Sequence, residues 1–367
     1  MTNKIRAIGA AILVTLWAVL TAFAWFSPAK DTSEAERRPL AQFPELSAKT
    51  ILDGKFMSAF EDYTLDQFPA RDTFRQLKSL AHYYVLRQKD NNDIYIVDGY
   101  AAKLDYPVNT EALTYALGRL NFVYDTYLKE QGSKVYMAVI PDKGYYLAEA
   151  NGYPAMDYQQ LLDTVKAQLP FATHIDITDC LQAEDYYFTD THWRQEALLP
   201  TAQKLRAAMG LTTLQEGDFT KTKIDRPFYG VYYGQAALPM EPEDLYILES
   251  QLLKDCQVYN FESGKYAPVY DMDKVSGKDP YDVFLSGPQS LLRIENPQAT
   301  TDKELIVFRD SFGSSLTPLL VQDYKSVTLV DIRYMDSRML GRFLEFKGQD
   351  VLFLYSTLVL NSGTTLK

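Results

Sequence analysis

Two short segments bring together an acid, an imidazole and a hydroxyl. One is Tyr187-Phe188-Thr189-Asp190-Thr191-His192-Trp193 and the other is Val307-Phe308-Arg309-Asp310-Ser311-Phe312-Gly313. A serine hydroxyl attacks a carbonyl only when a base within hydrogen-bond reach takes its proton, and that base works only when a third group orients it. Ser311 as nucleophile, His192 as base and Asp190 as orienter would fill those roles, and the chemistry would be acyl transfer. The chain has three histidines, the others being His82 and His174, so the choice of base is narrow. Both segments also admit a structural reading, because Asp310, Ser311, Thr189, Asp190 and Thr191 are all good helix caps. The residue three positions after Thr191 is Arg194, which leaves no capping box there, and helix physics does not call for a histidine at 192.

The elements that must position these residues follow from periodicity. Glu111 to Gln131 reads as a helix, Val135 to Ile140 as a buried strand ended by Pro141, Tyr158 to Leu169 as a helix and His174 to Ile177 as a short strand. A helix from about Arg194 to Met209 follows the first segment. The rhythm returns as strand Leu305 to Phe308, helix Ser314 to Gln322, strand Val327 to Asp331, helix Met335 to Phe346 and strand Val351 to Tyr355. Strands alternating with helices imply an α/β fold built on a parallel, doubly wound sheet. Ser311 then falls at the carboxyl edge of a strand, where open α/β folds hold their ligands, and the amides of the next turn could receive an oxyanion.

Other residues fall at the same edge. Lys143, in Pro141-Asp142-Lys143, could meet an anionic substrate group or belong to a plain turn. Arg333, in Asp331-Ile332-Arg333-Tyr334, could position a carboxylate, support Asp190 or close a salt bridge. Tyr334 and Trp193 are further candidates for substrate contact, because aromatic faces meet the apolar faces of sugars; most of the 27 tyrosines must nonetheless serve packing.

The 367 residues are 47% hydrophobic, enough for a large core in one elaborated domain or two. A net charge of −11 argues against a nucleic-acid partner, which requires a basic face. There is no CxxC, HExxH or Cys/His cluster, and no metal or cofactor is expected. Residues 7–29 carry no charge and are long enough to span a bilayer; Lys4 and Arg6 precede them, which leaves everything after residue 30 outside the cytoplasm. An uncleaved single-pass anchor is one reading. Cleavage of a signal peptide after Ala22-Phe23-Ala24, giving a secreted protein, is the other. Cys180 and Cys256 then lie where a disulfide persists, although spacing does not say whether they pair.

The chain divides into a tip and span (1–30), a helical lead-in segment (31–105) and an α/β domain (106–367) with an insertion at about 211–301, which is rich in loops and antiparallel pieces. In the lead-in, Phe56, Phe60, Tyr63, Leu65 and Phe68 form one helical pattern stopped by Pro69, and Leu77, Leu80, Ala81 and Tyr84 mark a second helix expected to pack by that face.

Seven ordered stretches carry a family resemblance. They are Glu36 to Pro44, Tyr63 to Asp72, Val139 to Lys143, Thr189 to Trp193, Phe228 to Tyr233, Arg309 to Phe312 and Asp331 to Tyr334. Together they resemble the DHHY-motif proteins of Gram-positive bacteria, which are similar to the SGNH-hydrolase-like proteins of alginate acetylation. The resemblance implies an SGNH-like sheet with the motif order circularly permuted, and Ser311, His192 and Asp190 as the catalytic set. It implies O-acetylation of a cell-surface polysaccharide, with the acetyl group brought across the bilayer by a membrane-bound O-acyltransferase partner. An acetyl esterase acting on glycans, and a catalytically silent glycan-binding scaffold subunit, are the alternatives. The chain departs from the pattern in two places: Thr191 stands at the second letter of DHHW, and Arg309 stands where the SGNH block has glycine. Asn361 is a positional candidate for that family's later asparagine.

Overall fold

The computed structural model describes residues 2–33 and 35–367. The chain forms two compact units, one of residues 1–91 with 233–239 and one of residues 92–232 with 240–367.

The larger unit is built on an eight-stranded sheet. Its strands, in chain order, are β1 (Val135–Ile140), β2 (Thr173–His174), β3 (Gln257–Asn260), β4 (Lys265–Pro268), β5 (Leu291–Glu295), β6 (Glu304–Arg309), β7 (Ser326–Val330) and β8 (Asp350–Ser356). Across the sheet the order is β4-β3-β5-β7-β6-β8-β1-β2. The five strands from β7 to β2 run parallel, and β5, β3 and β4 extend the sheet antiparallel along one edge. Those three strands come from the stretch expected to be an insertion, so part of it completes the central sheet. The fold is thus mixed α/β with a mostly parallel central sheet.

Successive side chains of a strand point to opposite faces, and this sequence places an apolar group at nearly every one. In β6, Leu305 and Val307 enter one buried cluster while Ile306 and Phe308 enter another. In β8, Leu352 and Leu354 alternate in the same way with Val351, Phe353 and Tyr355. Helix Leu199–Ala208 and the 3₁₀ segment Thr317–Asp323 cover the first face, with Leu205 and Leu320 buried in it. Helices Thr110–Val123, Tyr158–Gln168 and Thr357–Asn361 cover the second, through Leu117, Leu161 and Leu360. Of the helix expected at 335–346, only a 3₁₀ stretch, Ser337–Arg342, forms. Cys180 is half-buried and Cys256 buried, and both are free thiols.

The smaller unit begins with helix Thr2–Phe26, whose stretch Lys4–Phe26 is long and, apart from Lys4 and Arg6, apolar enough to cross a membrane. Helices Ala48–Leu52, Lys55–Asp66 and Arg71–Leu80 follow, the last continued by a wider turn over Ala81–Val85. Charge holds this unit together. Arg38 donates to both oxygens of Asp66, at 2.8 and 2.5 Å, and Arg71 bridges Asp66 and Glu36. Arg75 lies 3.3 Å from Glu36 and donates to the carbonyl of Gly234 at 2.7 Å.

Candidate functional site

The carboxyl edges of β6, β8 and β1 supply one wall of the site. Leaving β6, Asp310 turns the chain: its Oδ1 accepts from the Phe312 amide at 3.0 Å and its Oδ2 from the Ser356 amide at 2.8 Å, tying the end of β6 to the end of β8. Asp310 thus closes a turn ahead of helix Gly313–Leu316, which has no side-chain cap, so neither Asp310 nor Ser311 takes the capping role open to it. Ser311 keeps its hydroxyl for another partner.

That partner is His192. Its Nε2 is 2.7 Å from Ser311 Oγ, across 119 positions of sequence, and its Nδ1 is 2.6 Å from Asp190 Oδ1. Ser311 is half-buried and reachable, whereas Asp190 is 1% exposed. A carboxylate on Nδ1 favours the tautomer whose Nε2 is bare, the form that can take a proton from the serine. The segment Gln195–Ala197 is a single 3₁₀ turn and the helix begins only at Leu199. Asp190 thus does not cap that helix; it also accepts from the amides of His192 at 3.0 Å and of Val231, the first residue of helix Val231–Ala236, at 2.8 Å.

The loop that carries Asp190 and His192 is braced from several sides. Half-buried Glu243 accepts from the amides of Phe188 and Thr189 at 2.8 and 2.9 Å, and from the Thr189 hydroxyl at 2.9 Å. Lys143 donates to the carbonyls of Tyr187 and Phe188 at 2.7 and 3.3 Å. Burial pushes Lys143 down to about 7, against the pull of Asp190 and Glu243, and pushes Glu243 up. Gly230 passes so close that a Cβ there would lie 2.2 Å from the Asp190 Cβ, so only glycine fits.

The imidazole is clasped as well as hydrogen-bonded. The Tyr281 ring stacks on it at 4.0 Å between centroids and 8° between planes, and Phe312 leans against it at 4.9 Å. Tyr281 in turn donates to Ser315 Oγ at 2.8 Å, and the Trp193 indole donates to the same oxygen at 2.9 Å. One hydroxyl thus ties the histidine loop to the turn after the serine.

The candidate residues divide by what they touch. Lys143 and Trp193, read as substrate contacts, are both buried and spend their donors on the protein itself. Arg333 is held by Asp331 through its Nε at 2.9 Å and its Nη2 at 2.6 Å, and half-exposed Tyr334 sits beside it. Asn361 holds the 105–109 loop, accepting from the Asn109 amide at 2.6 Å and donating to Asp105 at 3.1 Å, so its amide is committed elsewhere. The amides of Phe312, Gly313 and Ser314 are engaged within their own turn, which removes the oxyanion donors expected there. Arg309 is buried 3.8 Å from Asp331, and Gly313 makes room for it, since a Cβ there would come 2.7 Å from the arginine Cβ. Glu243 and Tyr281 had no signal in the sequence: both lie in the irregular stretch read as an insertion, far in the chain from the groups they hold.

A family model described as DHHW protein matches residues 176–330, a range that contains Asp190, His192 and Ser311. No curated protein sequence matches this chain. Among solved structures, a DHHW family protein from Eubacterium siraeum is similar, with a TM-score of 0.61 at 19% identity over 75% of this chain and 94% of that one. Bacillus cereus PatB1 is similar too, with a TM-score of 0.61 at 19% identity over 73% of this chain and 96% of that one. A PatB1 structure with a sulfonyl adduct gives a TM-score of 0.60 at 19% identity, over 73% of this chain and 95% of that one. At that identity the likeness speaks for the fold.

Proposed function

From the premise that residues 176–330 form a DHHW family domain, we propose that this protein is an extracytoplasmic, membrane-anchored O-acetyltransferase acting on a cell-surface polysaccharide through a Ser311 acyl-enzyme. One observation carries the reading: Ser311 Oγ, His192 and Asp190 form an unbroken hydrogen-bonded chain, at 2.7 and 2.6 Å, that ends at a reachable hydroxyl.

In this reading His192 Nε2 takes the Ser311 proton as Oγ adds to the acetyl carbonyl, and Asp190 stabilises the imidazolium that forms. The imidazolium returns the proton to the leaving group as the tetrahedral adduct collapses to the acetyl-serine. A sugar hydroxyl, deprotonated by the same nitrogen, then attacks the ester and leaves acetylated. Tyr281 presents its π face to the ring that gains the positive charge during the reaction. Lys143, Glu243 and Trp193 act on the loop rather than on substrate. Arg333 and Tyr334 remain the candidates for contact with the glycan. The choice of acetyl, of a polysaccharide acceptor and of a membrane-bound O-acyltransferase as donor partner rests on the family resemblance. Retention of residues 7–29 as an anchor is part of the same proposal.

The test is a burst experiment with an activated acetyl ester. The wild-type protein should release one equivalent of leaving group quickly and carry an acetyl mass on the peptide containing Ser311; Ser311→Ala and His192→Ala should do neither. An equal burst from those variants would sink the proposal. An arylsulfonyl fluoride, which captures activated serines, should label the same peptide. Product analysis with and without oligosaccharide separates transfer from ester hydrolysis, since an esterase would use water equally well in both.

A further inference from the structure

Every exposed leucine, isoleucine or valine beyond the N-terminal helix, among the described residues, lies between positions 46 and 86. They are Leu46, Ile51, Leu52, Leu65, Leu77, Val85 and Leu86, with exposures from 51% to 87%. Phe43, Met57, Phe74 and Tyr84 join them. In the remaining 281 residues the large exposed apolar groups are all aromatic or methionine. Scattered exposed apolar residues need no explanation, but a concentration of branched aliphatics does.

Within the helical run from Arg71 to Val85 these residues form a stripe. Phe74, Leu77, Tyr84 and Val85 recur at helical spacing on the exposed side, whereas Arg75 and Ser79 on the opposite side bond to the carbonyls of Gly234 and Ala236. Of the face expected to pack, Leu77 and Tyr84 are open, and Leu80 and Ala81 are half-buried. Exposed Lys78, Arg87 and Lys89 border it, in a chain whose net charge is −11.

The end of the apolar helix is fastened beside this run. The Lys30 amide donates to Gln67 Oε1 at 2.8 Å, and Gln67 Nε2 donates back to the Lys30 carbonyl at 2.8 Å. Gln67 sits four residues before the run begins. A bilayer around residues 4–26 thus has its outer surface close to Gln67, because only Ser27 to Ala29 separate that span from the clamp.

We infer that the helical run Arg71 to Val85 is an interfacial element that lays Phe74, Leu77, Tyr84 and Val85 into the headgroup–acyl boundary of the membrane its own span crosses. The class is that of amphipathic helices whose apolar face enters the lipid while bordering cations meet anionic headgroups. The inference rests on the retained anchor proposed above. It does not depend on the acyl-transfer reading.

The experiment uses the full chain reconstituted in vesicles of phosphatidylcholine and phosphatidylglycerol, doped with a phosphatidylcholine bearing a photoactivatable acyl chain. Adducts are mapped by mass spectrometry. Peptides covering residues 74–86 should carry lipid adducts in addition to those of the span. Leu77→Ser and Tyr84→Ser, both at exposed positions, should each lower the 74–86 adducts several-fold and leave the span adducts unchanged. Adducts confined to the span overturn the inference. So does lipid contact at 74–86 that ignores both variants, or one that appears only when a second membrane protein is co-reconstituted. A mature chain recovered without residues 4–26 removes its premise and overturns it as well. Labelling is read without any acyl donor, so failure of the Ser311 reading leaves this result distinct.

Discussion

The two units of this chain are held together by different forces. In the larger one, a sheet with apolar residues on both faces builds two clusters that run the length of the parallel strands, and buried Asp142 and half-buried Glu243 brace loops. In the smaller one, helix Lys55–Asp66 has no buried residue at all, and the centre is a network of Glu36, Arg38, Asp66, Arg71 and Arg75. The first kind of unit can hold a serine, a histidine and an aspartate to within tenths of an ångström. The second suits a part whose apolar surface is directed outward.

The largest expected effect bears on what the first unit does with its rigidity. Ser311→Ala and His192→Ala should each lower acyl transfer on the order of 10⁴-fold or more; His192→Ala also removes a buried ring stacked on Tyr281 and should lower the melting temperature, whereas Ser311→Ala, at a half-buried hydroxyl, should leave it in place. A loss of stability in Ser311→Ala that matched its loss of activity would make the contact structural. Next comes the core. Phe353→Ala, at a position with no exposure, should cost about 3–5 kcal/mol in denaturant unfolding. Leu77→Ala, at 55% exposure, should cost within about 0.5 kcal/mol. Similar costs at the two sites would erase the contrast. Gly230→Ala should act on activity less than the loss of Ser311 or His192: the added methyl must displace Asp190, and a shift of this kind should reduce acyl transfer on the order of 10²-fold. Full activity in that variant would mean the loop can give way.

What the sequence made legible follows the same division. Strands of the larger unit could be read because burial on both faces writes a continuous apolar run, as at Val135–Ile140 and Val351–Tyr355. The pairing of Asp190, His192 and Ser311 was suggested by a histidine with no duty that helix physics would assign, and was joined to Ser311 chiefly by the family resemblance. Glu243 and Tyr281 could not, since a glutamate bonding two distant amides and a tyrosine lying on a distant ring leave no local pattern. Lys143 looked like a substrate contact because it follows a strand at the active edge; only the fold shows the carbonyls that consume its donors. In the smaller unit the amphipathic pattern of Phe74 to Leu86 was visible, but periodicity marks an apolar face without saying what covers it.

Acid separates the two units by sign. Arg38 hydrogen-bonded to Asp66 holds that carboxyl near 2, below its usual 3.8; at Glu36, burial works upward but Arg71, Arg75 and Arg38 together prevail and lower it. A depressed carboxyl contributes stability that is fully present above its unfolded value and is lost as pH falls through the folded one. The smaller unit should therefore loosen between about pH 4 and pH 2. Asp142, Asp105 and Glu243 in the larger unit are raised by burial, so their folded forms bind protons that the unfolded chain releases, and acid relieves rather than adds to their cost. Hydrogen-exchange protection, corrected for the intrinsic pH dependence of exchange, should fall in peptides covering 55–80 before any loss in β6 and β8. Asp66→Asn should flatten that fall. Simultaneous loss in both sets of peptides, or a fall unchanged by Asp66→Asn, would show that the charge network does not govern the smaller unit.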